Sequence, residues 1–128
     1  MKCKELMVGD FCRSRHGFPM QITNVGDDYA YATFEGNEGE PWEFDDKDEQ
    51  PQPIPLTPEI LEKNGWERNG IFMEKRIDEN THLSWTDICG SVLSQGNYYM
   101  CDCNYVHTLL HALRLCGGDE LANNFKVV

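Results

Sequence analysis

Apolar and polar side chains alternate in several short stretches of the first fifty residues. The clearest are 18–23, where Phe18, Met20 and Ile22 alternate with other residues, and 29–34, which is rich in aromatic residues and also alternates. A period of two residues is typical of a strand with one buried face. Shorter strands are predicted at 11–14 and around Trp42 and Phe44, with Gly- and Asp-rich turns between them. These four or five strands are predicted to close into a small, strongly bent barrel.

Two helices are predicted in the second half of the chain. The first has Thr57 as its N-cap and Pro58 at its first helical position, and Asn64-Gly65 is a typical helix end. The second is predicted to follow Asn104 as its cap. One apolar stripe with helical spacing identifies it: Val106, Leu109, Leu110 and Leu113.

The segment between these helices alternates again, as a strand does. Residues 71–77 and 81–88 are the longest candidates, and 92–93 and 98–103 are shorter ones. Consecutive strands joined by tight turns favour an antiparallel meander. After Gly117-Gly118 the chain is predicted to continue as a polar tail that ends in an edge strand.

Prolines at positions 51, 53 and 55 mark an extended connector between the halves. We predict a barrel-like half at 1–50, a connector at 51–57 and a helix–meander–helix half at 58–128, sharing one core. The opening from Glu5 to Phe11 resembles the start of Src-homology-3-like barrels, in which Leu-x-x-Gly-Asp leads into the first strand. The predicted fold class is α+β: a Src-homology-3-like barrel, then a helix, an antiparallel meander and a C-terminal helix.

Charge adds a second kind of information. The 128 residues include 11 Lys and Arg against 22 Asp and Glu, a net charge of −11. Such a balance argues against nucleic acid or an anionic membrane as a direct partner, and it suits a protein partner with a basic surface. The excess is concentrated in Glu35–Glu49, which holds eight acidic residues and one lysine.

This acidic segment is the predicted partner-binding surface, with aromatic anchors interleaved among the acids. Two other interpretations remain open: a solvated hairpin loop, or a mimic of a phosphate backbone that inhibits a host nucleic-acid or defence enzyme. The residues proposed for binding are Glu38, Glu40, Trp42, Glu43, Phe44, Asp45 and Asp46.

The N-terminus has no apolar run of signal-peptide length, and no apolar stretch approaches about 18 residues. We therefore expect a cytosolic protein, in the cytosol of a bacterial host. Its six cysteines are expected to be reduced and mostly buried, because disulfides are rare in that compartment and no Cys-x-x-Cys pair is present.

One cluster could bind zinc: Cys101, Cys103, His107 and His111 supply four soft or borderline ligands within eleven residues. The helical period places both histidines beside the apolar stripe and toward solvent, on the side of Arg114, whose charge opposes a bound cation. The alternative is two surface or boundary histidines and two buried or half-buried thiols. A Cys–His nucleophile pair would draw on Cys89, Cys101 or Cys103 with His82, His107 or His111, and the spacing selects none of them. No phosphate loop, Gly-x-Ser-x-Gly or His-Glu-x-x-His motif is present, so neither an enzyme nor a cofactor is predicted.

Three motifs resemble a family of small proteins from Bacteroidales and their phages and prophages. They are Lys4–Asp10, the stretch Pro53–Trp66 (PIPLTPEILEKNGW) and Tyr105-Val106-His107-x-Leu109. The family commonly has Glu and Gln where Thr108 and Leu110 stand here, and it often lacks the Cys-Asp-Cys and the second histidine. The resemblance implies a genomic setting rather than a reaction. Together these features predict a non-enzymatic interaction or accessory protein of phage or mobile-element origin.

Overall fold

The computed structural model describes residues 1–34, 40–88 and 90–127. The chain divides into two compact units, Met1–Ile54 and Pro55–Val128. The division falls inside the proline-rich segment, where the missing amide hydrogens of proline limit regular pairing.

The first unit is built on one antiparallel sheet, preceded by a short 3-10 helix at Cys3–Glu5. Its strands are β1 (Phe11–Arg13), β2 (Pro19–Val25), β3 (Tyr29–Thr33) and β4 (Trp42–Asp45), and they lie in the order β1-β2-β3-β4. The predicted closed barrel is wrong. Strand β1 has only three residues and pairs along its length with β2 alone. Each edge strand makes one further isolated bridge: Arg13 of β1 to Gln52, and Asp45 of β4 to Glu49.

Period-two alternation determines the core of this unit. Ala30 and Ala32 on β3 are fully buried, and they lie opposite Phe44 and Trp42 on β4. The small alanines leave room for the large rings, so the inner face of the sheet is densely packed. Met20 and Ile22 on β2 complete this side of the core together with Cys3, Leu6 and Cys12.

The second unit contains the predicted meander, which is confirmed as a five-stranded antiparallel sheet in the order β5-β6-β7-β8-β9. The strands are β5 (Glu67–Asn69), β6 (Phe72–Arg76), β7 (His82–Thr86), β8 (Val92–Gln95) and β9 (Tyr98–Asp102). The helices are α1 (Pro58–Lys63), α2 (Val106–Leu115) and α3 (Asp119–Asn123). The α+β class with antiparallel sheets is therefore confirmed.

Local capping signals in the sequence predicted the start of α1 correctly, but not the start of α2. Thr57 caps α1 as predicted, because its hydroxyl accepts a hydrogen bond from the Ile60 amide at 3.3 Å. Tyr105, not Asn104, is the N-cap residue of α2, since a bridge to Pro55 holds Tyr105 extended. The predicted tail is instead α3, and residues 125–127 are not a strand.

One row crosses four strands of this sheet, in which buried Met73, Trp85 and Leu93 and half-buried Cys101 are successive cross-strand neighbours. The Trp85 indole donates a buried hydrogen bond of 2.9 Å to the Cys103 carbonyl, which satisfies the polar edge of the ring. All four residues of the predicted stripe on α2 are buried. No helix among the described residues combines the length and apolarity that a membrane crossing requires.

Candidate functional site

Strand β4 lies within the acidic segment, and its side chains alternate between the inner and the outer face of the sheet. Phe44 is fully buried and Trp42 packs against the same core, so these two predicted anchors face the interior of the unit. Alternation along the strand places Glu43 and Asp45 on the opposite, outer side. Glu40 is exposed just before the strand, and Glu38 lies outside the described residues.

On the outer side, the neighbours of these acids are tyrosines. Glu43 lies directly opposite Tyr31, and Asp45 lies opposite Tyr29. The two phenol rings contact each other edge to face, with centroids 5.8 Å apart. A methyl group at Gly26 would overlap the Tyr29 ring, so the absence of a side chain there gives the ring its place. We call Tyr29, Tyr31, Glu43, Asp45 and Asp48 the acidic–tyrosine surface.

A depression of about 240 Å³ adjoins this surface. Its one cation, Arg15, is already engaged: its amide donates to the Glu49 carboxylate at 2.8 Å and its guanidinium lies 3.8 Å from the same group. The Trp42 indole donates to Glu49 as well, at 3.2 Å. Glu49 is therefore a structural carboxylate, and Asp45 accepts a hydrogen bond from the Lys47 amide at 2.9 Å. The unengaged negative charge among the lining residues comes from Glu43 and Asp48.

Asp46 also has a structural role. Its carboxylate accepts a 2.9 Å hydrogen bond from the Cys3 amide, which joins the loop after β4 to the N-terminal 3-10 helix. This hydrogen bond is the largest cause of a pKa that lies below the ordinary aspartate value. A substitution of Asp46 would disturb the N-terminal segment, so Asp46 does not belong among the residues that test partner binding.

The predicted zinc ligands lie on two neighbouring elements of the second unit. Cys101 is half-buried on β9, Cys103 is fully buried just after it, and both histidines are half-buried on α2. The His107 ring stacks on Tyr105 and touches His111 edge to face. Within residues 1–34, 40–88 and 90–127, no three His, Cys, Asp or Glu side chains are grouped as a metal ion requires.

The thiols have the chemistry of core residues. Burial, as the largest cause, raises the pKa of Cys3, Cys12 and Cys103 to about 12, and it also raises the pKa of Cys101 and Cys116. A protonated thiol is a poor nucleophile. Of the proposed histidine partners, His82 binds Glu74 at 3.1 Å instead. Cys89 lies outside the described residues.

Part of the acidic–tyrosine surface can be predicted from the sequence. Strand alternation alone separates Glu43 and Asp45 from Trp42 and Phe44, whereas the tyrosines join them only through the register of β3 on β4. Comparisons of the chain with protein-family models, with curated proteins and with solved structures give no significant match.

Proposed function

We propose that this chain is a non-enzymatic interaction protein whose first unit binds a basic protein surface through the acidic–tyrosine surface. The observation that carries the proposal is the pairing of two carboxylates with two tyrosines on the outer side of β3 and β4. Tyrosine is enriched at protein interfaces because it offers a large contact area and a hydroxyl group at little cost in conformational entropy.

The charges of this surface are available for a partner. The carboxylates of Glu43 and Asp48 make no hydrogen bond or ion pair within the part of the chain that the structure describes. Tyr29 is 41% exposed and can contribute apolar contact area. A basic partner would be steered by the carboxylates and held by the rings, so binding would weaken as salt screens the charges.

The test is capture from bacterial lysate with the full chain as bait, followed by binding measurements with the purified partner. The variant Glu43→Lys/Asp48→Lys reverses two exposed charges on the surface. The matched control, Glu62→Lys/Glu79→Lys, changes the net charge equally at exposed positions of the second unit. A partner retained by the wild type and the control but lost by the first variant supports the proposal. Equal retention by all three proteins would refute it.

The same experiment separates the two partner classes that the acidic charge suggests. We favour a basic protein surface in general. The narrower alternative is a mimic of a phosphate backbone, which requires the captured partner to be a nucleic-acid enzyme whose activity the wild type blocks. Glu40, Glu43 and Asp48 are the carboxylates to neutralise in that assay, because Asp46 anchors the Cys3 amide.

The setting proposed for this function is the cytosol of a bacterial host, with an origin in a phage or another mobile element. Its support is the likeness of Lys4–Asp10 and Pro53–Trp66 to the small Bacteroidales proteins. We also propose a Src-homology-3-like relationship for the first unit, supported by its Gly9-Asp10 opening. Gly9 has a φ of 94°, and the fully buried Asp10 accepts the Met7 amide at 2.7 Å. Neighbouring phage genes around the coding sequence would test the setting.

A further inference from the structure

Two asparagines of the second unit are each followed by a glycine, as Asn64-Gly65 and Asn69-Gly70. In this dipeptide the backbone nitrogen of the glycine can attack the side-chain amide carbon of the asparagine, because glycine has no side chain that hinders the approach. Both sites have the same local chemistry. Any difference in their reactivity therefore comes from the folded structure around them.

The side chain of Asn64 is held at both ends of its amide. Its Nδ2 donates to the Ile60 and Lys126 carbonyls, each at 2.8 Å, and its Oδ1 accepts a hydrogen bond from the Lys126 amide at 2.8 Å. The Gly65 amide, which would have to attack, donates to the Glu62 carbonyl at 3.2 Å. A reaction at Asn64 requires these four hydrogen bonds to break.

The side chain of Asn69 lacks this protection. Asn69 is the last residue of β5, an edge strand whose three residues are all exposed. Its side chain makes one hydrogen bond within the described ranges, from Nδ2 to the Glu74 carboxylate at 3.3 Å. The Gly70 amide donates no backbone hydrogen bond in the same part of the chain. Both groups that would react are therefore close to unrestrained.

The turn between β5 and β6 makes glycine necessary at position 70. Gly70 and Ile71 form a two-residue loop, and a φ of 64° at its first position is typical of a hairpin turn that takes glycine there. In the closed hairpin Asn69 is extended and pairs with Phe72, so its side-chain carbon reaches the Gly70 nitrogen only when the end of β5 opens. Such opening costs little at an exposed sheet edge.

We propose that Asn69 is a site of spontaneous deamidation and that its conversion loosens β5. The Gly70 nitrogen bonds to Cγ of Asn69, the Cγ–Nδ2 bond breaks, and Nδ2 leaves as ammonia with the proton of the Gly70 amide. Water then opens the resulting succinimide. Cleavage of its bond to Cγ yields aspartate, and cleavage of its bond to the main-chain carbonyl carbon yields isoaspartate. Either product has a carboxylate in place of the hydrogen-bond donor.

The new carboxylate joins two others on one face of the sheet. Glu67 lies directly opposite Glu74, and residue 69 shares the face of Glu67 because side chains alternate along β5. The same alternation directs Arg68 to the other face, so its charge does not offset the carboxylates. Loss of the Asn69–Glu74 hydrogen bond and repulsion between facing acids both weaken the pairing of β5 with β6.

The test is a time course of the purified full chain at mildly alkaline pH, followed by peptide mapping with mass spectrometry. Trypsin cleaves after Lys63, Arg68 and Lys75, so the two asparagines fall on separate peptides, 64–68 and 69–75. In the native protein Asn69 should convert at least about 10-fold faster than Asn64, because more hydrogen bonds must break at Asn64. In urea the two rates should become equal, since neither site is then protected.

Equal native rates at the two sites would overturn the proposal, and so would an unconverted Asn69 after a time in which the urea-unfolded chain converts. Two variants test the consequence for β5. Asn69→Asp represents the product, and Asn69→Gln keeps a neutral amide whose attack would require a larger ring. Hydrogen exchange of the β5 and β6 amides should be about two- to fivefold faster in Asn69→Asp than in Asn69→Gln. Identical exchange rates in the two variants would refute the loosening of β5.

Discussion

Replacing Phe44 with alanine distinguishes a core residue from a partner anchor. The sequence placed Phe44 in the binding segment, whereas the structure buries it completely against Ala30, Met20 and Ile22. Ala30, which lies directly opposite on β3, is too small to fill the space that the ring leaves. The substitution should therefore act on stability and not on a binding contact.

The expected loss can be worked from the burial of Phe44. A fully buried aromatic side chain removes about 150–250 Å² from water, and each Å² of apolar area contributes about 25 cal/mol. Alanine retains a fraction of that area, and the cavity adds a further cost, so Phe44→Ala should destabilise the unit by about 3–5 kcal/mol. With a urea m-value of about 2 kcal/mol/M, the unfolding midpoint should fall by about 2 M.

Urea denaturation followed by far-ultraviolet circular dichroism and by tryptophan fluorescence measures this loss. Phe18→Ala is the matched control, because Phe18 is 55% exposed in the same unit and contacts Phe34 by stacking. The control should lose about 1 kcal/mol or less. A loss below about 1 kcal/mol for Phe44→Ala, together with weaker partner binding, would refute the assignment of Phe44 to the core.

Three further predictions concern groups whose role the structure defines. The Asp46 carboxylate has a pKa below its ordinary value in the folded state, so it contributes stability at neutral pH that is lost as the pH falls through and below the ordinary aspartate range. Asp46→Asn should therefore flatten the decline of the unfolding midpoint below about pH 4, and an unchanged pH profile would contradict this. Thr57→Ala should cost about 1 kcal/mol in urea denaturation through loss of the N-cap hydrogen bond, and a loss near zero would show that the cap contributes nothing. Iodoacetamide at pH 8 should label three thiols, as read by mass spectrometry, only after unfolding: Cys3, Cys12 and Cys103. Equal labelling rates in native and unfolded protein would contradict their burial.

Long periodic patterns and capping signals predicted the elements that carry most of the core. The stripe on α2 and the Thr57-Pro58 start of α1 depend on local chemistry, which the sequence displays directly. Strands β6 and β7 followed from alternation because each has one buried face, which includes Met73 on one strand and Trp85 on the other.

The elements that were missed lack such a pattern. Strand β5 is Glu67–Asn69, exposed at all three positions, and it forms because Gly70 takes a φ of 64° and turns the chain onto β6. Helix α3 has only five residues, of which Ala122 is buried, so tertiary packing stabilises it rather than propensity. Whether the first sheet closes into a barrel depends on the length of β1, and the alternation in the sequence does not show that β1 has only three residues.

The candidate site, like the fold, combines features that local patterns predict with features that depend on tertiary structure. The acids of β4 and the aromatic residues Trp42 and Phe44 were predicted to form one surface, although strand alternation separates them onto two faces. The tyrosines opposite the acids depend on cross-strand register.

The most direct test of the central claim is the affinity of the full chain for its captured partner, measured by calorimetry at two salt concentrations for the wild type, Glu43→Lys/Asp48→Lys and the control Glu62→Lys/Glu79→Lys. We expect binding by the wild type and the control that weakens as salt rises, and a loss of at least tenfold for the first variant. Identical affinities for all three proteins, without dependence on salt, would contradict the role of the acidic–tyrosine surface.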